Sequence, residues 1–67
     1  MITVHVNDTP IQVNESTNVL ELLNQVNQPI EGIAVAINNN IVSKSDWKQQ
    51  NVIENDNVLI IQATQGG

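Results

Sequence analysis

The chain lacks several residue types on which protein chemistry often depends. Its 67 residues include no cysteine, one histidine and a single aromatic side chain, Trp47. Without cysteine there is no disulfide framework, no thiolate metal site and no thiol nucleophile. One histidine, His5, excludes a multi-histidine metal site and leaves no credible acid–base set, so we expect no catalytic residue, no metal and no bound cofactor. We expect His5 itself to be a solvated surface residue.

Positive charge is scarce as well. Two lysines stand against seven acidic residues, for a formal net charge of -5. Nucleic acid is excluded as a partner because phosphate binding would require a basic surface on this chain. We expect the acidic chain to favour a partner protein with a basic surface. The longest apolar runs, 33–37 and 58–61, are too short for a membrane helix, and the N-terminus lacks a signal-peptide pattern. We therefore expect a cytoplasmic protein with no membrane association.

The first half of the chain predicts a hairpin followed by a helix. Apolar residues alternate over 2–6 and again over 11–13, with the turn formers of 7–10 between them. Asn18 and Glu21 are placed to cap a helix whose apolar stripe has helical spacing, with Pro29 expected to end it. That stripe consists of Val19, Leu22, Leu23 and Val26.

The second half predicts three more strands. The apolar run 33–37 is followed by three asparagines at 38–40, a composition typical of tight hairpin turns, and then by a short return strand at 41–42. Residues 43–50 form a loop with a short helical turn, over which Trp47 is expected to cover the edge of the core. After a turn at 54–57, residues 58–61 form the last strand.

This order of elements predicts an α+β fold in which a mixed sheet of four to five strands packs on one main helix. If the last strand lies beside the first and parallel to it, the arrangement is a β-grasp, or ubiquitin-like, fold. We expect residues 1–64 to form this domain and residues 65–67 to be a flexible tail.

The tail ends in Gly66 and Gly67. Because glycine has no Cβ, such a tail can thread a narrow channel and carry its terminal carboxylate into the active site of a partner. The alternative is an ordinary frayed terminus.

Several short segments together resemble the ThiS family of sulfur carriers in thiamine biosynthesis. They are residues 18–23 (Asn-Val-Leu-Glu-Leu-Leu), residues 36–38 (Ala-Ile-Asn), Trp47 and the final Gly66-Gly67. The similarity spans the chain, with one departure: residues 43–45 are Ser-Lys-Ser where family members often carry proline and arginine.

The resemblance implies a carrier that is acted on by partner enzymes and is not itself an enzyme. An adenylating, E1-like enzyme would use ATP to activate the Gly67 carboxylate. A sulfur donor such as a cysteine desulfurase would convert it to a thiocarboxylate, and thiazole synthase would take the sulfur. The alternatives are a carrier like the small subunit of molybdopterin synthase, a non-covalent β-grasp interaction module, or a tag joined to lysines through Gly67.

The open face of the sheet is the expected docking surface. Analogy with ubiquitin-like folds, counting back from Gly67, places Val58 and Ile60 inward. It leaves an apolar patch suited to a protein partner. The patch is predicted to contain Leu59, Ile61, Ala34 and Ala36. The alternative is that both faces of this central strand are covered.

Overall fold

The computed structural model describes residues 1–62 of the chain. In this part of the sequence, five strands and two helices follow one another. They are β1 (Ile2–Val6), β2 (Thr9–Val13), α1 (Val19–Gln25), β3 (Ile33–Ile37), β4 (Asn40–Val42), a 3₁₀ helix (Lys44–Asp46) and β5 (Asn57–Gln62). Within residues 1–62, no helix is long and apolar enough to cross a membrane.

The strands form one mixed sheet in the order β2-β1-β5-β3-β4. The central pair, β1 and β5, is parallel, whereas the other neighbouring pairs are antiparallel. Since the first and last strands lie side by side with α1 on one face, the predicted β-grasp fold is confirmed. The predicted tail, 65–67, lies outside the described residues.

Two tight turns close the two hairpins. Asn7 and Asp8 have φ angles of 49° and 71°, and Asn38 and Asn39 have φ angles of 51° and 72°. Positive φ at both central residues of a two-residue turn is the signature of type I′, whose twist matches that of the flanking strands. Asparagine and aspartate reach this conformation more easily than other residues with a Cβ. The second turn is shorter than predicted, because Asn40 already belongs to β4.

Helix α1 begins with the predicted capping box. The Glu21 N–H donates to Asn18 Oδ1 at 2.8 Å, and the Asn18 N–H donates to Glu21 Oε1 at 3.1 Å. The helix ends earlier than Pro29 would require, because Asn27 turns left-handed with a φ of 58°. The Asn27 N–H donates to the Asn24 carbonyl, and the Gln28 N–H donates to the Leu23 carbonyl. These two bonds are the Schellman pattern of a helix C-terminus.

The core lies between α1 and the inner face of the sheet. It contains most of the expected strand and helix residues, although Val26 of the predicted stripe is only partly buried against it. Trp47, expected only to cover the edge of the core, and Val52, which the sequence pattern did not place there, also belong to it. Trp47 is buried as a full member of the core, and its indole Nε1–H donates to the Val42 carbonyl at 3.0 Å. The core members are Val4, Val6, Val13, Val19, Leu22, Leu23, Val35, Ile37, Trp47, Val52, Val58 and Ile60.

Candidate docking surface and carrier tail

Strand β5 presents different side chains to its two faces. Val58 and Ile60 point into the core, and Ile60 is 8% exposed. Leu59 and Ile61 point away from it and are 49% and 44% exposed. The predicted orientation of all four residues is confirmed. A central strand therefore leaves two large aliphatic side chains open to solvent.

The two alanines lie on the same outer face but are less open than predicted. Ala34 is paired with Ile61 and Ala36 with Leu59, and directly opposed residues of neighbouring strands point to the same side. However, Ala36 is only 6% exposed and Ala34 is half-buried. A methyl group beside taller aliphatic neighbours is covered by them, so the alanines form a low floor and do not project.

Ile41 belongs to this surface, although sequence reasoning missed it. It is paired with Ala36 across the β3–β4 hairpin and is 70% exposed. The signal was available: a two-residue turn at 38–39 places residue 41 opposite residue 36. We call the resulting surface the outer apolar patch, and it consists of Ala34, Ala36, Ile41, Leu59 and Ile61.

The outer face becomes polar towards β1. Val4 and Val6 point into the core, so the alternation of β1 places Thr3 and His5 on the outer side. His5 is half-buried, not fully solvated as predicted, and it is paired with Pro10 of β2 and Asn57 of β5. The outer apolar patch is therefore confined to the β5-β3-β4 side of the sheet.

The side chain of Asn7 holds the middle of β5 from the side of the first hairpin turn. Its Oδ1 accepts the Ile60 N–H at 2.8 Å, and its Nδ2 donates to the Ile60 carbonyl at 3.4 Å. The side chain thus continues the ladder between β1 and β5 beyond the end of β1. Residues 63–67 follow directly after this strand in the sequence.

Asn38 holds the start of β5 from the second hairpin turn. Its Oδ1 accepts the Asn57 N–H at 3.0 Å, and its Nδ2 donates to Asp56 Oδ1 at 3.0 Å. Asp56 is buried, and its second oxygen accepts the Ile53 N–H at 2.8 Å. The Asp56 side chain thus stabilises the turn that the sequence predicted at 54–57, whereas the contacts of Asn7 and Asn38 were not predicted.

The residues predicted to carry the chemistry, Gly66 and Gly67, lie outside the described residues. The structure shows the strand that precedes them in the sequence, β5. The side chains of Asn7 and Asn38 bind its backbone, and the outer apolar patch lies on its exposed face.

Comparison with known proteins decides the family. The family model described as ThiS family matches residues 3–67. The chain belongs to the ThiS family. It is 39% identical over 61 residues to the sulfur carrier protein ThiS of Escherichia coli K12, an alignment covering 91% of this chain and 92% of that protein.

Solved structures of the same family agree with the fold. The crystal structure of the thiamine biosynthesis protein ThiS from Geobacter metallireducens matches with a TM-score of 0.85 and 28% identity, covering 98% of this chain and all of that one. The solution structure of a thiamine biosynthesis protein from the same organism matches with a TM-score of 0.73 and 28% identity, covering 98% of this chain and 87% of that one.

Proposed function

We propose that this chain is a sulfur carrier in thiamine biosynthesis and that it carries sulfur on the terminal carboxyl group of Gly67. The observation that supports this most strongly is the family match, which runs from residue 3 to residue 67 and so includes Gly66 and Gly67. The name of the Escherichia coli relative, sulfur carrier protein ThiS, supports the same function. The match favours this function over the molybdopterin-synthase alternative.

The residue inventory supports the same location for the chemistry. A chain without cysteine has no thiol on which to hold sulfur as a persulfide. A terminal carboxylate serves instead, but it is a poor electrophile until it bears a good leaving group. The chain is therefore the protein co-substrate of other enzymes, and ATP belongs to the enzyme that activates it.

The proposed sequence of steps begins with the adenylating, E1-like enzyme. The Gly67 carboxylate attacks the α-phosphorus of ATP, which gives an acyl adenylate and releases pyrophosphate. The persulfide of a sulfur donor, such as a cysteine desulfurase, then attacks the acyl carbon and displaces AMP. A donor thiol cleaves the resulting sulfur–sulfur bond, forming a disulfide and releasing the Gly67 thiocarboxylate, from which thiazole synthase takes the sulfur. We place these steps in the cytoplasm, where ATP is available.

The outer apolar patch supplies the docking surface in this proposal. Exposed Leu59, Ile61 and Ile41 offer aliphatic contact area around the low floor of the two alanines. Gly66 and Gly67, lacking a Cβ, thread the channel that leads to the partner's reactive centre. With a net charge of -5, the chain is steered towards a basic partner surface.

The test is the intact mass after incubation with the adenylating enzyme of the same organism, ATP, cysteine and a cysteine desulfurase. We expect a gain equal to replacing one oxygen by sulfur, located in the C-terminal fragment. A variant with one alanine added after Gly67 should stay unchanged, because its terminal carboxylate is displaced by one residue from the Gly67 position and has a Cβ beside it. If the wild-type mass does not change while the Escherichia coli carrier is converted by its own enzymes, the proposal is wrong and a non-covalent module is favoured.

A further inference from the structure

A second surface, on the helix side of the sheet, carries the positively charged side chains of an otherwise acidic chain. A groove of about 290 Å³ opens between α1, the loop that follows it and the 3₁₀ helix. Its lining combines apolar side chains with both lysines of the sequence. The lining residues are Leu20, Ile30, Lys44, Ser45, Trp47 and Lys48.

The floor of this groove is apolar and partly open. Leu20 and Ile30 are half-buried and pack against the core, which leaves part of each side chain facing the groove. Trp47 lies beneath them, almost fully buried. A single aliphatic side chain from outside would bury apolar surface here, worth about 25 cal/mol for each Å² removed from water.

The walls are fixed to one another by backbone hydrogen bonds. The Leu20 N–H donates to the Trp47 carbonyl at 3.2 Å, and the Val19 N–H donates to the Gln50 carbonyl at 2.9 Å. The side-chain amide of Asn18 donates to the Lys48 carbonyl at 3.2 Å. The start of α1 and the segment after the 3₁₀ helix therefore form one built unit, so a ligand does not have to order the groove before binding.

The charge at the rim selects the kind of occupant. Lys44 and Lys48 are the only Lys or Arg side chains of a chain with a net charge of -5, and both border the same groove. Lys44 forms an ion pair with Glu31, with its Nζ 3.9 Å from Glu31 Oε2, and both side chains are well exposed. Lys48 takes part in no ion pair within residues 1–62.

We propose that this groove binds an acidic segment of a partner protein, with one aliphatic side chain on Leu20 and Ile30 and flanking carboxylates at Lys44 and Lys48. Because α1 covers the inner face of the sheet, the groove lies on the side opposite the outer apolar patch. A partner on that patch leaves the groove free. The chain can therefore bind two proteins at once, one basic and one acidic.

The test is an amide chemical-shift titration of the full chain with a short synthetic peptide that carries one leucine between glutamates. We expect shifts at the backbone amides of 20, 30 and 44–48 and saturation at millimolar peptide. Lys48→Gln should weaken binding about two- to fivefold, the range of an exposed charge pair. Binding should also weaken at about 1 M salt, where the Debye length is about 3 Å.

A matched pair of acidic variants separates local contact from net charge. Glu31→Gln and Glu15→Gln change the net charge equally, but only Glu31 lies beside a groove lysine, and Glu15 does not line the groove. Glu31→Gln should tighten binding about twofold more than Glu15→Gln, because Lys44 loses a competing carboxylate. The proposal is overturned if millimolar peptide gives no shifts, if the shifts lie on the outer apolar patch, if Lys48→Gln binds as wild type, or if the two acidic variants behave alike.

Discussion

Ile60 and Ile61 are neighbours in β5 with the same side chain and opposite surroundings. Ile60 is 8% exposed against the core, whereas Ile61 is 44% exposed on the outer apolar patch. The first is typical of a residue that stabilises the fold. Ile61 leaves apolar surface in water, which does not stabilise the isolated chain but favours binding when a partner covers it. One strand thus separates stability from recognition by the alternation of its side chains.

The largest expected loss of stability comes from a substitution on the inner face of β5. Ile60→Ala should lower the free energy of unfolding by about 2–5 kcal/mol, because it removes buried methyl groups and leaves a cavity. Since a core of this size rarely supplies more than about 3–5 kcal/mol, much of the variant should be unfolded at room temperature. Urea denaturation followed by circular dichroism measures the change.

The matched control for this loss is Ile61→Ala. It makes the same chemical change on the outer face and should cost less than about 1 kcal/mol, because the side chain is already half in water. Equal losses for the two variants would contradict the division between the faces.

A smaller loss of stability is expected when the hydrogen bonds between the Asn7 side chain and the backbone of β5 are removed. Asn7→Ala removes the acceptor of the Ile60 N–H, a 2.8 Å bond, and also places alanine at a φ of 49°, so together these should cost about 1–3 kcal/mol, also measured by urea denaturation. Asn7→Asp keeps an acceptor there and loses only the 3.4 Å bond to the Ile60 carbonyl, so it should cost less. The reverse order would contradict both the bond to the Ile60 N–H and the left-handed conformation of residue 7 as sources of stability.

Removing the N-terminal cap of α1 should lower stability without affecting recognition by the adenylating enzyme. Asn18→Ala should lower the free energy of unfolding by about 1 kcal/mol, because the Glu21 N–H loses its partner at the helix N-terminus. Thermal denaturation measures this loss. The outer apolar patch does not contact the cap, so the rate of adenylation at temperatures where the variant is folded should match the wild type. A slower rate for folded protein would contradict the separation of the two faces.

The smallest expected change in stability is on the most exposed residue of the outer apolar patch. Ile41→Thr keeps the β-branch and should alter the free energy of unfolding by no more than about 0.5 kcal/mol. Its KM for the adenylating enzyme should nevertheless rise about fivefold through lost contact area. Steady-state pyrophosphate release measures this, and an unchanged KM would remove Ile41 from the docking surface.

Much of the fold follows from local patterns in the sequence. The alternation in β1, the helical spacing after Asn18 and the left-handed tendency of asparagine predict the strands, the helix and both turns. Contacts between distant segments were not predictable in this way. Trp47 is buried in the core by contacts with other elements, with its indole N–H paired to the Val42 carbonyl. Val52 is buried where its N–H donates to the distant Thr17 carbonyl. Helix α1 ends at Gln25, before the effect of Pro29 applies, because the left-handed conformation of Asn27 closes the helix first.

The candidate site was predictable only in part. Alternation along β5 correctly oriented Leu59 and Ile61, because a strand has period two. The covering of Ala36 could not be predicted, since it depends on the heights of its cross-strand neighbours. Ile41 required the turn length, which fixes the register of the hairpin.

The most direct test of the division between recognition and stability is the kcat/KM of adenylation for the double variant Leu59→Thr and Ile61→Thr, measured on protein shown to be folded by its thermal denaturation. We expect a loss of at least about tenfold, equivalent to about 1.4 kcal/mol of binding to the enzyme, while the Tm stays within a few degrees of the wild type. A kcat/KM equal to that of the wild type would contradict it and would leave the outer apolar patch without a role in recognition by this enzyme.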